Sequence, residues 1–145
     1  MGINRLNIRV YGILEHQQKI LLVREKIDEF EFTKFPGGGL ELGEGTRDCL
    51  IREFLEETGL QIECGEHFYT TDFFQQSYFR ETDQIISVYY RVNPLSDISV
   101  IPTEEVFIEQ NGKKEQLRFF WVTKEEFHPG MLRFPIDKHV AELLL

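Results

Sequence analysis

The sequence has few cysteines, no long hydrophobic run and less positive than negative charge. Its two cysteines, Cys49 and Cys64, form no Cys-x-x-Cys pair, which argues against a thiolate zinc site. No apolar run approaches the roughly 18 residues of a membrane-spanning helix, and the first residues, MGINRLNIRV, lack the apolar segment of a signal peptide. We therefore expect a cytoplasmic protein with free thiols and no membrane partner.

Basic residues are outnumbered, with 16 lysines and arginines against 25 aspartates and glutamates, and the formal net charge is −9 at pH 7. A general nucleic-acid-binding protein usually carries a basic stripe, so the composition argues against that class. A small phosphorylated substrate stays compatible with this charge, because a bound divalent cation can reverse the local sign.

Internal repeats, low-complexity tracts and linkers are also absent from the sequence. We therefore predict a single domain spanning residues 1–145, a length that allows a sizeable core. Hydrophobic residues make up 41% of the chain, which predicts a globular rather than a disordered protein.

The pattern of apolar residues predicts strands and helices in mixed order. Strands are predicted at 7–16, 19–26, 60–74, 84–93 and 117–122, and helices at 47–58, 123–127 and 135–145. Hairpin turns are predicted at Gln17-Gln18 and at Asn111-Gly112, and the glycine-rich segment 27–46 is predicted to be a loop. Thr46 is the predicted N-cap of the first helix, and Gly59 follows its end. Without regular βαβ repeats, the order favours an α/β or α+β sandwich with a mixed sheet.

The stretch REFLEETGL, residues 52–60, places Glu53, Glu56 and Glu57 near the end of the first helix. At ~100° per residue they share an arc of roughly 100° on the side away from the apolar residues. A solvated acidic face is one interpretation. However, Glu53 and Glu57 repel each other at i,i+4, and the helix dipole disfavours carboxylates in the last turn. No basic residue follows Glu56 or Glu57 at i+4, which favours a hard divalent cation such as Mg²⁺ as the missing partner.

A wider spacing pattern surrounds these glutamates. Its fixed positions are Gly38, Glu44, Arg52, Glu53, Phe54, Glu56, Glu57, Gly59 and Leu60. The pattern resembles the Nudix box, Gly-x5-Glu-x7-Arg-Glu-U-x-Glu-Glu-x-Gly-U, where U is a bulky apolar residue. Every fixed position is filled, although Phe54 replaces the usual aliphatic residue and Thr33 stands where a Trp is common upstream. The resemblance covers residues 38–60, about a sixth of the chain.

This resemblance implies a Nudix fold, in which a mixed β-sheet is sandwiched between helices. It also implies hydrolysis of a diphosphate linkage in a nucleoside diphosphate joined to another group, with Mg²⁺ or Mn²⁺ as cofactor. By resemblance, Glu53, Glu56 and Glu57 bind the metal, and one of them deprotonates the attacking water. Arg52 would orient the carboxylates through charge-assisted hydrogen bonds, and Glu44 would support the loop–helix junction or share in metal binding.

Two further groups of residues are candidates for substrate binding. Gly37, Gly38 and Gly39 would let the backbone approach phosphate closely, although an ordinary turn explains them equally well. No Gly-Lys-Ser/Thr follows these glycines, which excludes a P-loop. Arg24, on the second predicted strand, would face either the substrate phosphates or solvent.

An additional acidic ligand is expected in the loop before the strand at 117–122. By resemblance to members with an extra glutamate there, Glu115 is the candidate metal ligand. Its rivals are Glu104, Glu105 and Glu109. A solvated loop charge is the alternative for all of them.

The sequence leaves the substrate open. A segment rich in aromatics offers Phe73, Phe74, Tyr78 and Phe79 for base stacking, with core packing as the alternative. ADP-ribose hydrolases of the family tend to carry a proline near position 75, which is Gln here, whereas dinucleoside polyphosphate hydrolases tend to carry a tyrosine near Tyr78. A nucleoside triphosphate suits the compact length equally.

Two other functions compete with hydrolysis. One is a non-catalytic Nudix module that senses a nucleotide, which usually has lost box residues. The other is an isomerase acting on a prenyl diphosphate, which would need a catalytic cysteine, and Cys64 is the cysteine just after the box. The partners implied are a small phosphorylated nucleotide and, by family habit, a second copy in a homodimer.

Overall fold

The computed structural model describes residues 2–110 and 112–145 of the chain. The strands are β1 Arg5–Ile13, β2 Glu15–His16, β3 Lys19–Ile27, β4 Phe30–Lys34, β5 Gly37–Gly39, β6 Ile62–Thr70, β7 Asp83–Pro94, β8 Val106–Gln110 and β9 Lys113–Thr123. The helices are α1 Thr46–Thr58 and α2 Pro135–Leu144, and short 3₁₀ turns cover Ile98–Val100 and Pro129–Met131. None of the described helices is long and apolar enough to cross a membrane.

The strands form two sheets. The first has the order β5-β1-β7-β6, and it is mixed because β1 and β7 run parallel while the other pairs are antiparallel. The second is antiparallel, with the order β2-β3-β9-β8 and with β4 paired to β3. The combination of helices with a mixed sheet confirms the predicted α+β architecture.

The predicted hairpin at Gln17-Gln18 joins β2 to β3. Both turn residues have positive φ angles, 50° and 64°, as a two-residue type I′ turn requires. The predicted strand 7–16 is interrupted at Leu14, which is completely buried. Because of this interruption, β1 enters one sheet and β2 enters the other.

Alternating residues of β3 pack in two separate hydrophobic clusters. Leu21 and Val23 pack in a cluster that includes Phe54 of α1. Ile20 and Leu22 pack in a second cluster that includes Val140 of α2. The two helices therefore cover opposite sides of the sheets, which confirms the predicted sandwich.

Helix α1 matches its prediction except at its first residue. Thr46 lies inside the helix and Gly45 is the N-cap, so the prediction of Thr46 as the cap was wrong. The Gly45 backbone N–H donates to Asp48 Oδ2 at 3.4 Å, so the Asp48 side chain caps the first turn of the helix. The Thr46 hydroxyl instead bonds the Tyr90 hydroxyl at 2.7 Å. At the other end, Gly59 adopts the left-handed conformation with φ 77°, as predicted.

Two other local predictions were wrong. The segment 27–46 is not all loop, because β4 and β5 lie within it. Residues 123–127 form a turn rather than a helix, in which the Phe127 backbone N–H donates to the Thr123 carbonyl at 2.9 Å. At the predicted Asn111-Gly112 turn, Asn111 lies outside the described residues, but β8 and β9 on either side of it pair with each other.

Candidate active site

A cavity of about 380 Å³ opens between the two sheets. Residues from β1, β3, β4, β5, β7, β8 and β9 line it, together with residues of both helices and of the segment between β6 and β7. Side chains far apart in sequence therefore line one cavity. They include acidic, basic and aromatic residues.

Four glutamates form the acidic part: Glu25 of β3, Glu53 and Glu57 of α1, and Glu115 of β9. Glu53 and Glu57 are one helical turn apart and therefore lie on one face. Glu25 and Glu115 lie diagonally on neighbouring strands, since Glu115 pairs with Ile27 and Glu25 with Leu117. The fold thus brings the predicted Glu115 to the predicted Glu53 and Glu57 and adds Glu25. The expectation that Glu115 lies in a loop was wrong, because it belongs to strand β9.

Gly38 of β5 lies directly against the carboxylate of Glu53. A Cβ atom at this position would lie 2.5 Å from the Glu53 carboxyl carbon. Strand β5 can pass close to the carboxylate only because this side chain is missing. The three glycines 37–39 all line the cavity.

The glutamates strain one another electrostatically. Burial, together with the neighbouring carboxylates of Glu53 and Glu25, raises the pKa of Glu57 well above its usual value, although Lys34 opposes this shift. Burial and the nearby Glu25 likewise raise the pKa of Glu115 to about 7. Burial and the neighbouring carboxylates thus both disfavour the charged forms of Glu57 and Glu115, and a bound cation would favour these charged forms.

Arg52 corrects the expectation that these glutamates have no basic partner. It lies four residues before Glu56, and its Nη1 donates to Glu53 at 3.0 Å and to Glu56 at 3.3 Å. Its Nε and Nη2 donate to the two oxygens of Glu44 at 3.0 and 2.7 Å. The basic partner thus precedes Glu56 by one helical turn instead of following it.

Glu44 is fixed firmly by this pairing. The hydrogen bonds from Arg52, and one from the Glu41 backbone N–H, lower the pKa of Glu44 to about 2 against a smaller opposing effect of burial. Arg52 also donates to the Gly39 carbonyl at 3.2 Å. The guanidinium thus ties the loop before α1, strand β5 and the helix into one unit.

Lys34 and Arg9 are the cations near the glutamates, and the sequence did not point to either of them. The other cations of the lining are Arg5, Arg80 and Lys113. Lys34 Nζ lies 3.2 Å from Glu25 Oε2, and both side chains are less than a tenth exposed. Burial alone would lower the pKa of Lys34, but Glu25 and Tyr11 outweigh it and the pKa is raised. Arg9 donates from Nε to the Tyr11 hydroxyl at 2.7 Å. A charged residue inside the apolar run FEFTKF was the available signal for Lys34.

The structure does not bring Arg24 to this cavity. Successive side chains of a strand point to opposite faces, so Arg24 points away from the side that Glu25 occupies. Its Nη1 donates to Thr33 and its Nη2 to Glu31, each at 3.2 Å. Together with Glu105, another sequence candidate, it lines a separate shallow depression.

The residues fit a hard divalent metal by their chemistry. The donors are carboxylate oxygens, which Mg²⁺ and Mn²⁺ prefer. One of them, Glu25 Oε2, is buried and accepts no hydrogen bond in the described part of the chain. Within residues 2–110 and 112–145, no three acidic, imidazole or thiol side chains are arranged as a ready-made metal site. Arg52 bonds one oxygen of Glu53 and one of Glu56, and each carboxylate keeps a second oxygen that could ligate a metal.

Aromatic side chains line another part of the cavity. Tyr78 and Phe79, two of the four stacking candidates, lie there with Phe32 and Phe134, whereas Phe73 and Phe74 are not among the lining residues. The ring centroids of Phe32 and Phe134 are 5.0 Å apart, and those of Tyr78 and Phe134 are also 5.0 Å apart. The ring planes meet at 59° and 80°, so the rings pack tilted or edge to face and form an apolar wall in which a single ring, rather than a shared plane, is available to stack on a nucleobase.

Neither cysteine reaches the cavity. Burial, with a contribution from Glu44, raises the pKa of Cys49 to about 12, so its thiol is inert. Cys64 donates to the Arg47 carbonyl at 3.6 Å. The cysteine that an isomerase would need is therefore missing from the described lining.

Fold and site together define an α+β sandwich protein with an acidic, metal-compatible cavity between its sheets. The chain belongs to the Nudix hydrolase family, because the model of the NUDIX domain matches residues 3–143.

Individual similar proteins match the chain over a shorter stretch or at a low sequence identity. Over 54 residues the chain is 43% identical to an ADP-ribose pyrophosphatase of Methanocaldococcus jannaschii, a match that covers 37% of this chain and 32% of that protein. The match thus spans about a third of that relative's length.

Among solved structures, the chain resembles the E. coli ORF135 protein with a TM-score of 0.70 and 20% identity, covering 97% of this chain and 89% of that one. It also resembles the MutT protein from Methanosarcina mazei Go1 with a TM-score of 0.68 and 19% identity, covering 96% and 92%. At these identities the likeness shows the fold.

Proposed function

We propose that the protein is a divalent-metal-dependent pyrophosphohydrolase that cleaves a diphosphate linkage in a nucleoside diphosphate joined to another group. One observation carries this proposal: Glu25, Glu53, Glu57 and Glu115 converge in a cavity that also holds Lys34 and Arg9. Carboxylates suit a metal ion and an attacking water, and cations suit a diphosphate. The Nudix box itself supports the same chemistry.

Glu53, Glu56 and Glu57 are the residues that we assign to metal binding, with Glu115 as a further ligand. When bound, Mg²⁺ or Mn²⁺ would neutralise phosphate charge and lower the pKa of a coordinated water. Arg52 holds Glu53 and Glu56 in place, and Glu44 in turn holds Arg52. We assign deprotonation of the water to Glu57 or Glu115, because both lie in the cavity.

The substrate is proposed to be a nucleoside triphosphate or a related nucleotide. Its phosphates would contact Lys34, Arg9 and the backbone of Gly37–Gly39. Its base would stack on one of the rings of Tyr78, Phe79 and Phe134, which pack edge to face. ADP-ribose is a second candidate, favoured by the similarity to the M. jannaschii pyrophosphatase. A homodimer and a single domain spanning residues 1–145 stay predictions.

A substrate panel tests this function. Nucleoside triphosphates, nucleotide sugars, ADP-ribose and dinucleoside polyphosphates would be incubated with Mg²⁺ or Mn²⁺. For the best substrate, we expect Glu57→Gln to lower kcat by about 10²- to 10⁴-fold, because it removes a carboxylate from the reacting centre. Glu66→Gln, which changes an exposed glutamate of β6 outside the cavity, is the control and should keep the activity.

Two results would contradict the proposal. Turnover that survives Glu57→Gln unchanged would refute the site assignment. Binding of a nucleotide without hydrolysis of any panel member would favour the nucleotide-sensing module instead.

A further inference from the structure

Lys34 is a buried cation placed among carboxylates. It is 4% exposed, and it follows the hydrophobic residues of β4 at the point where the chain turns into β5. Its Nζ donates to the Gly37 carbonyl at 3.2 Å and lies 5.3 Å from the centre of the Tyr11 ring. These contacts fix the ammonium at the wall of the cavity.

The hydrogen bonds of this ammonium are incomplete. An ammonium group has three N–H donors, and within the described residues Lys34 makes one hydrogen bond, to Gly37. Glu25 Oε2 stands 3.2 Å away as an ion-pair partner but accepts no hydrogen bond. With one donor on Gly37 and one facing Glu25, a third donor of Lys34 is left for a ligand that enters the cavity, and Lys34 is among the lining residues.

The ammonium also balances charge that a metal would otherwise have to balance. Glu25 pairs with it directly, and Glu57 lies close enough for the two charges to interact. Arg52 is engaged with Glu44, Glu53 and Glu56. Arg9 also lies near Glu25, but its Nε donates to the Tyr11 hydroxyl, whereas Lys34 forms the direct ion pair with Glu25.

We propose that Lys34 is a protein-supplied cation of the active site, which neutralises Glu25 and Glu57 in place of an additional metal ion and donates to the substrate diphosphate. This inference rests on the proposed function and deepens it. It requires that loss of the Lys34 charge have two opposite effects. Metal binding strengthens because the carboxylates lose a competitor, and diphosphate binding weakens because it loses a donor.

Titration calorimetry on Lys34→Gln measures both effects without turnover. With Mg²⁺ alone, we expect the variant to bind about 5- to 10-fold more tightly than the wild type. With methylenediphosphonate at saturating Mg²⁺, we expect it to bind about 10-fold more weakly, as the loss of one partly buried charge interaction implies. Lys26→Gln is the matched control, because Lys26 lies on the neighbouring strand outside the cavity. Both of its affinities should equal those of the wild type.

A second variant covers the case in which Lys34→Gln does not fold. Glu25→Gln combined with Lys34→Gln removes both charges of the pair, so no unpaired buried charge remains. We expect this variant to bind Mg²⁺ like the wild type and methylenediphosphonate about 10-fold more weakly.

The inference is overturned if folded Lys34→Gln leaves both affinities unchanged, or if it shifts both in the same direction. Unchanged diphosphonate binding in the double variant would overturn it as well. If Glu57→Gln abolishes turnover while the Lys34 variants show these results, the hydrolase assignment stands and only the inference about Lys34 fails. A chain that hydrolyses none of the panel would instead refute the proposed function.

Discussion

Arg24 and Glu25 are neighbours in sequence, yet they lie in opposite environments. Each forms an ion pair with an N–O distance of 3.2 Å, Arg24 with Glu31 and Glu25 with Lys34. The first pair is exposed, at 43% and 50% of the side chains, whereas the second is buried, at 7% and 5%. At equal distance, burial therefore decides how strongly an ion pair affects stability, since water screens the first pair and the fold isolates the second from solvent.

The difference in stability between the two ion pairs is tested by removing one partner from each pair. Glu25→Gln removes the direct ion-pair partner of the buried Lys34 charge, so we expect it to lower the free energy of unfolding by about 3–5 kcal/mol. Arg24→Gln should lower it by less than about 1 kcal/mol. Urea unfolding of both variants measures the difference. Equal losses would show that the two faces of β3 are not electrostatically different.

Asp137 extends the comparison to a buried carboxylate that accepts a hydrogen bond from the Tyr89 hydroxyl. Burial raises its pKa from 3.8 to about 6, against opposing effects of Tyr89, Lys34 and Arg9. The native state therefore keeps this proton between about pH 4 and 6 while the unfolded chain loses it. The contribution of Asp137 to the free energy of unfolding then falls by roughly 3 kcal/mol as the pH rises through this window.

Asp137→Asn should abolish this fall, which chemical denaturation at pH 4, 5, 6 and 7 would reveal as a difference from the wild type. Asp97 is an exposed carboxylate whose pKa is lowered by hydrogen bonds from Ser99. Because it titrates below the window, Asp97→Asn is the control. Parallel pH profiles of the wild type and Asp137→Asn would contradict the assigned pKa.

The smallest expected effect concerns the metal. If Mg²⁺ relieves repulsion among the cavity glutamates, tenfold excess over its Kd should stabilise the fold by about 1.4 kcal/mol. In the metal-free protein, Glu57→Gln should raise the melting temperature because it removes one of the repelling charges. A melting temperature that stays constant up to millimolar Mg²⁺ would refute relief of repulsion by the metal.

Sequence alone predicted those parts of the molecule that short-range rules determine. Helix α1, its terminal Gly59 and the hairpin at Gln17-Gln18 follow from local periodicity and turn chemistry. The box spacing likewise pointed to Glu53 and Glu57, which the fold places in the cavity and whose roles stay predictions. These features depend on residues within a few positions of one another.

Tertiary pairing determined what the sequence could not show. Lys34 belongs to the site because β4 pairs with β3, so that Val23 faces Lys34 and Glu25 comes within reach. The prediction for Arg24 depended on which face of β3 points inward, and a shift of one residue reverses that answer. The cap at Gly45 was missed because local preference favoured Thr46, whose hydroxyl instead bonds Tyr90 across the fold.

The parallel pairing of β1 with β7 has a consequence for how the protein folds. Its partners, from Arg5 and Asp83 onward, are about 80 positions apart, whereas β2–β3, β3–β4 and β8–β9 are local hairpins. Closing so long a loop costs more entropy than forming a hairpin, so this contact is expected to form late. Arg9 lies on β1, and β5, which contacts Glu53, pairs with the same strand. Catalytic competence is therefore expected to be among the last properties that the refolding chain acquires.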